Sequence, residues 1–123
     1  MNKKTILYVD DEKDTLNAVQ VGLGDKGYDV LIADSGEAAL KVLKSNTPDI
    51  IIADLRMQPM NGFELFQEVK KIKRLSHIPF FFLTAVDDFL AQKYSQSLGV
   101  DAYITKPVDI DTLERYIQSK LEI

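Results

Sequence analysis

Five short apolar runs alternate along the chain with longer stretches in which apolar residues recur every three or four positions. The runs cover 5–9, 28–33, 49–54, 80–83 and 101–105, and most are continuous rather than alternating, as expected for strands covered on both faces. A first helix is predicted from near Asp11 or Glu12, with Leu16, Val19 and Leu23 on one face. Gly22, Gly24 and Gly27 weaken its end and mark the turn into the second strand. Ser35 is the expected N-cap of a second helix that turns Ala39, Val42 and Leu43 inward, until Asn46-Thr47-Pro48 stops it. Asn61 and Glu64 have capping-box spacing, and Leu65, Phe66, Val69 and Ile72 give the third helix its apolar face. The cations Lys70, Lys71, Lys73 and Arg74 suit the negative end of that helix's dipole. A fourth helix is predicted from near Asp87-Asp88, packing through Leu90, Tyr94 and Leu98 and stopping at Gly99. A fifth, from around Asp109, shows Leu113, Ile117 and Leu121 at a spacing of four.

Strand-helix alternation repeated in this way predicts an α/β fold, a parallel sheet with helices on both faces. Right-handed crossovers then restrict its topology. At 123 residues the size prior gives one domain, 1–123, large enough to bury a core without disulfides or a structural metal. No linker, repeat or low-complexity segment interrupts the pattern. The absence of cysteine excludes thiol chemistry and fits a reducing compartment. With 15 Lys and Arg against 19 Asp and Glu the net charge is −4, which argues against nucleic-acid binding by this domain. Lys3-Lys4 precedes an apolar stretch too short for a signal sequence, and two acids follow it. No run reaches membrane-spanning length. The expectation is a cytoplasmic protein with no membrane association.

The ends of the runs carry the chemistry. The first strand ends in Asp10-Asp11, the third in Asp54, the fourth in Thr84 and the fifth in Lys106-Pro107. If the strands are parallel, three carboxylates, a hydroxyl and an ammonium converge on the edge where open α/β sheets bind ligands. Three close carboxylates raise one another's pKa unless a cation sits among them. A hard divalent ion with oxygen ligands answers that need. The chain thus reads as a magnesium site beside a carboxylate able to accept a phosphoryl group. Taken alone, Asp11 reads equally well as a helix cap, Tyr103 reads better as a packed aromatic, and Phe80 to Phe82 read as core. His77, the only histidine, falls in a loop and is given no ligand role.

The combination resembles a receiver domain of the two-component response regulators. The likeness rests on Asp10-Asp11, on Asp54 with Leu55-Arg56-Met57, on Met60 and Gly62, on Thr84-Ala85, and on Tyr103-Ile104-Thr105-Lys106-Pro107, and spans essentially the whole chain. The resemblance implies a flavodoxin-like, doubly wound five-stranded sheet of order 2-1-3-4-5 with five helices on two faces. It implies that Asp54 accepts a phosphoryl group from a phosphohistidine of a sensor kinase or phosphotransfer protein. It further implies Mg²⁺ held by Asp10, Asp11, Asp54 and the backbone carbonyl of Arg56, and Lys106 and Thr84 contacting the phosphoryl group. Thr84 and Tyr103 match the pair that rearranges on phosphorylation, Tyr103 turning from an exposed to a buried rotamer. The switched face, helix 4-strand 5-helix 5, would dock an output partner or a second receiver. A cis bond is expected at Lys106-Pro107.

Two departures stand out. The family's usual Met-Pro-x-Met appears as Met57-Gln58-Pro59-Met60, which bears on the loop beside the metal but leaves the site's residues in place. Ala102 stands where many DNA-binding regulators carry an acid of a dimer salt-bridge network, which puts their dimer geometry in doubt. Three rival readings fare less well. A phosphatase of the haloacid dehalogenase type needs an acid where Arg56 stands, and a cap domain. A flavodoxin-like electron carrier needs a phosphate-cradling Ser/Thr/Gly loop where the chain has Asp10-Asp11-Glu12-Lys13-Asp14. A receiver-like scaffold that is never phosphorylated has no need of the complete acid, Thr and Lys set. The expected role is a phosphorylation-dependent signalling switch, not an enzyme acting on an outside metabolite.

Overall fold

The computed structural model describes residues 3–85 and 89–123. In chain order the elements are β1 (Thr5–Val9), α1 (Lys13–Asp25), β2 (Asp29–Ala33), α2 (Gly36–Leu43), β3 (Ile50–Asp54), α3 (Gly62–Lys71), a 3₁₀ turn (Lys73–Leu75), β4 (Phe80–Ala85), α4 (Phe89–Leu98), β5 (Ala102–Lys106) and α5 (Ile110–Leu121). The strands form one five-stranded sheet in the order β2-β1-β3-β4-β5, and every neighbouring pair is parallel. The expected order and fold class are therefore found.

Two apolar layers flank the sheet. Leu7, Val9, Ile51, Ala53, Phe80 and Phe82 meet α2 and α3, with Ala91 and Leu98 of α4 at the margin. Ile6, Tyr8, Ile50, Ile52, Phe81 and Leu83 meet Leu16, Val19 and Leu23 of α1 and Leu113 and Ile117 of α5. The period of two along each strand deals alternate side chains to the two layers, so a covered strand must be apolar at every position. β3 is buried along its whole length.

Local chemistry sets the helix starts. Ser35 accepts from the Ala38 N–H at 3.0 Å, Asp109 from the Thr112 N–H at 2.7 Å, and Asn61 with Glu64 forms the full capping box. Two acids just ahead of strands have a role that periodicity does not show. Asp49 accepts the Thr5 N–H at 2.7 Å, and Asp101 accepts the Phe80 N–H at 2.8 Å. Each ties the start of β3 or β5 to the start of its neighbour, while the other Asp101 oxygen pairs with Lys120 at 2.8 Å. β3 and β5 accordingly begin one residue later than expected.

Several expectations need correction. α1 continues through Gly22 and Gly24, and the chain turns only at Gly27, whose φ of 98° a side chain would disfavour. Ile72 is not on the apolar face of α3: it is the C-cap residue and is exposed. Arg74 does more than complement a dipole, since it donates to Thr47 Oγ1 at 2.5 Å and to the Leu43 carbonyl, joining the 3₁₀ turn to the end of α2. The predicted start of α4 at Asp87-Asp88 lies outside the described residues. In α4 Ser95 is buried, with Ala91 and Leu98 partly buried beside it; Leu98 packs as expected and the Tyr94 ring sits edge-on to Phe63 at 4.7 Å, but Leu90 is 78% exposed. Ser95 tolerates full burial because its hydroxyl donates to the Ala91 carbonyl at 2.8 Å, leaving no polar group unpaired. Among the described residues no helix is long and apolar enough to cross a membrane.

Candidate functional site

The sheet order places the C-terminal ends of β1 and β3 side by side, in the register Val9 to Ala53. β1 has β2 on its other side, so the chain reverses winding direction here, the switch point at which open sheets bind ligands. Asp10 and Asp54 follow directly on this edge, and Asp11 joins them. One carboxylate oxygen from each of the three lies within 4.8 Å of the others. Asp10 is fully buried and Asp54 is 5% exposed, whereas Asp11 faces solvent.

Backbone and side-chain donors fix the two buried acids. Asp10 Oδ1 accepts the Glu12 N–H at 3.0 Å, and Asp54 Oδ1 accepts the Arg56 N–H at 3.0 Å. Both are turns in which an Asp binds its own chain two residues on. The remaining oxygens turn to Lys106, whose Nζ lies 2.5 Å from Asp54 Oδ2 and 3.4 Å from Asp10 Oδ2. β5 delivers this ammonium because Lys106 pairs in register with Ala85, one residue past Thr84. The Lys106-Pro107 bond is cis, as expected, and Gln58-Pro59 is cis as well.

The electrostatics follow the burial. Burial holds the Asp10 carboxyl above its ordinary range, opposed by the Glu12 N–H and the Lys106 charge and reinforced by Asp54. Burial also works against the Lys106 ammonium, but its hydrogen bond and attraction to Asp54, then Asp10, outweigh that and raise its pKa. The two partners differ because only Asp10 is wholly removed from water. Tyr8, with its ring in the α1/α5 layer, is likewise held protonated, by burial first and then by Asp10 and Asp54. Nothing in the apolar run containing Tyr8 signals that proximity.

Thr84 is fully buried, and its hydroxyl has no hydrogen-bond partner among the described residues. A buried hydroxyl without a partner costs about 1–3 kcal/mol. Thr84→Val is therefore expected to raise stability toward urea by about 1 kcal/mol or more, a gain that a hydroxyl with a partner would turn into a loss. Tyr103 is half-buried rather than exposed and packs against the α2/α3 layer. Arg56 is exposed in the loop after β3.

The residues fit a hard divalent cation. The donors are all carboxylate oxygens, with no nitrogen or sulfur, and one of them is open to solvent; such a set suits Mg²⁺. The orphaned Thr84 hydroxyl and the Lys106 ammonium add two donors at the same edge, suited to an anion with several oxygens.

Known proteins resemble this chain in sequence and fold. The family model for the response regulator receiver domain matches residues 6–118. The alkaline phosphatase synthesis transcriptional regulatory protein PhoP of Bacillus subtilis is 38% identical over 107 residues, 87% of this chain and 43% of that protein. Histidine kinase P4 of Formosa agariphila is 35% identical over 120 residues, 98% of this chain and 9% of that protein. The chain spans less than half the length of the curated relatives it matches. The solved chemotaxis protein CheY4 of Vibrio cholerae superposes with a TM-score of 0.90 at 28% identity, covering 96% of this chain and 98% of that one. Fold, acidic edge and family match agree, and the chain belongs to the response regulator receiver domain family of two-component systems.

Proposed function

We propose that residues 1–123 form a single receiver unit that acts as a phosphorylation-dependent signalling switch, with Asp54 as phosphoacceptor. The observation that carries this reading is the position of Asp54. It ends the central strand, 5% exposed, with the acids Asp10 and Asp11 beside it and Lys106 Nζ at 2.5 Å. Phosphoryl transfer asks chiefly for positioning and charge neutralisation. A carboxylate oxygen of Asp54 would form the new P–O bond as the donor's P–N bond breaks, the donor imidazole leaving with the bonding pair. The backbone N–H of Arg56 orients Asp54, and Lys106 offsets the charge on the transferred oxygens. Mg²⁺, held by Asp10, Asp11, Asp54 and the Arg56 carbonyl, would supply the further positive charge that draws donor phosphate and acceptor together.

The phosphoryl donor in this reading is a phosphohistidine on a histidine kinase or histidine phosphotransfer protein. The kinase relative, which carries a stretch similar to this chain, supports that partnership. The setting is cytoplasmic, and the protein assists only its own phosphorylation and dephosphorylation. Thr84 and Tyr103 carry the signal onward. The Thr84 hydroxyl moves to donate to the new phosphoryl group, Tyr103 completes its burial, and the α4-β5-α5 face changes shape for an output partner or a second receiver. Full switching from 1:99 to 99:1 takes about 5.5 kcal/mol, and one hydrogen bond to a charged group supplies about 1.5–3 kcal/mol. Lys106 and the metal must therefore contribute too.

The test is intact-mass analysis after incubation with acetyl phosphate. A single phosphoryl adduct is expected only when Mg²⁺ is present, stable in acid relative to base and released by hydroxylamine, as an acyl phosphate is. An adduct that survives hydroxylamine, or no adduct at all, rejects the reading.

A further inference from the structure

Met60 rests on Gly36 so closely that no side chain fits between them. A Cβ on Gly36 would stand 2.6 Å from Met60 Sδ, 2.9 Å from its Cγ and 3.0 Å from its Cβ. Rotating the Met60 side chain moves the sulfur away but not the Cβ, which the backbone carries. Gly36 is buried and opens α2, directly after the N-cap Ser35. Met60 belongs to the loop of residues 55–61 between β3 and α3, the same loop that carries Arg56. Elsewhere that loop is pinned at Met57, buried in the α2/α3 layer, and at Gly62, whose N–H donates to the Leu55 carbonyl at 3.0 Å. Its far end is thus seated on another element, and the seat is Gly36.

We propose that Gly36 is a positioning residue for the metal site: by letting Met60 settle against the first turn of α2, it holds the Arg56 carbonyl in line with Asp10, Asp11 and Asp54. The proposal rests on the magnesium reading above. The usual effect of glycine in a helix predicts the opposite sign, since Ala is the better helix former and limits the unfolded chain, so Gly36→Ala would stabilise. Here the added methyl meets the Met60 Cβ and displaces the loop.

Mg²⁺ titrations followed by backbone amide shifts in residues 55–61, on wild type, Gly36→Ala, Met60→Gly and the double variant, test this. Gly36→Ala is expected to weaken Mg²⁺ binding about tenfold, as loss of an outer positioning contact does at other metal sites. In the Met60→Gly background the same change is expected to do nothing further, because the Met60 Cβ that the methyl would meet is gone. Urea melts on all four proteins separate stability from affinity. Equal weakening in both backgrounds overturns the proposal, as does a loss of stability with Mg²⁺ affinity intact. A wild type that shows no Mg²⁺-dependent shifts removes the magnesium reading itself, and the inference with it.

Discussion

Asp54→Asn is expected to take up no phosphoryl group from acetyl phosphate and Mg²⁺, while folding with near wild-type stability. Asn keeps an oxygen to accept the Arg56 N–H, now made by Asp54 Oδ1 at 3.0 Å, but is no longer a nucleophile. Neither neighbour replaces it: Asp10 is sealed from solvent, and Asp11 lies past the strand end, open to water. Stability holds because Lys106 keeps Asp10 as a partner at 3.4 Å and one of three mutually repelling acids is gone. Lys106→Ala makes the contrast. It leaves Asp10 and Asp54 without their cation, and removing one partner of a buried ion pair costs about 3–5 kcal/mol. Lys106 is 30% exposed, so a loss nearer about 2–3 kcal/mol is expected after allowing for that screening. Mg²⁺ in 100-fold excess over its dissociation constant stabilises either protein by about 2.7 kcal/mol; without the competing ammonium the variant is expected to bind Mg²⁺ more tightly, so at equal Mg²⁺ concentration its melting temperature is expected to rise more than that of wild type. Intact mass and thermal melts with and without Mg²⁺ read both effects. A phosphoryl adduct of normal yield on Asp54→Asn would move the acceptor to another residue.

Gly62→Ala is expected to be the most destabilising single-methyl change among the described glycines. Its Cβ would stand 2.6 Å from the Asp54 carbonyl oxygen and 2.9 Å from the Leu55 Cα. Both are backbone atoms at the end of the central strand, and neither can give way without moving the acceptor. Overpacking a tight site costs about 1–3 kcal/mol, and the rigid neighbours place this change near the top, about 3 kcal/mol. At roughly 3–5 °C per kcal/mol for a domain of this size, the melting temperature falls by about 10 °C. Gly24→Ala is the control. Gly24 lies inside α1 with nothing within 4 Å of its would-be Cβ, so the same methyl is expected to stabilise by up to about 1 kcal/mol. Urea titration of both variants checks the sign as well as the size. If Gly62→Ala and Gly24→Ala shift the midpoint alike, the close approach at Asp54 is not what constrains residue 62.

Wherever the governing interactions are local, the chain could be read directly. The capping box at Asn61 and Glu64, the cap at Ser35 and the buried stripe Leu16, Val19, Leu23 depend on spacing within one helix, and spacing is written in the sequence. The residues gathered at the candidate site were legible for a related reason. In a parallel sheet every strand ends at the same edge, so the residue that closes each apolar run is placed by topology before any contact is known. α4 was less legible. Leu98 and the Tyr94 ring pack as the period predicts, but Ala91 and Ser95, which fit the same period, take the inner face while Leu90 stays exposed. The packed face was decided by which set of side chains fits against the β4 and α3 side of the core. Ser95, a polar residue, won a buried place by bonding its own helix. Ile72 failed as a core residue because α3 ends one position earlier.

Sequence by itself determined the alternation of strands and helices, the chemistry available at the strand ends, and with them the family resemblance. Tertiary structure alone decided how those groups are engaged: Lys106 bound to Asp54 rather than extended into solvent, Asp10 fully buried beside it, Thr84 buried with a hydroxyl that has no partner among the described residues, and Tyr103 only half covered. It alone brought Met60 onto Gly36 and the Asp54 carbonyl over Gly62. The division has one physical cause. Periodicity and capping act over a few residues of chain, where order along the sequence is also order in space. Packing distances and burial arise between segments that are far apart in sequence, and only the closed fold sets them.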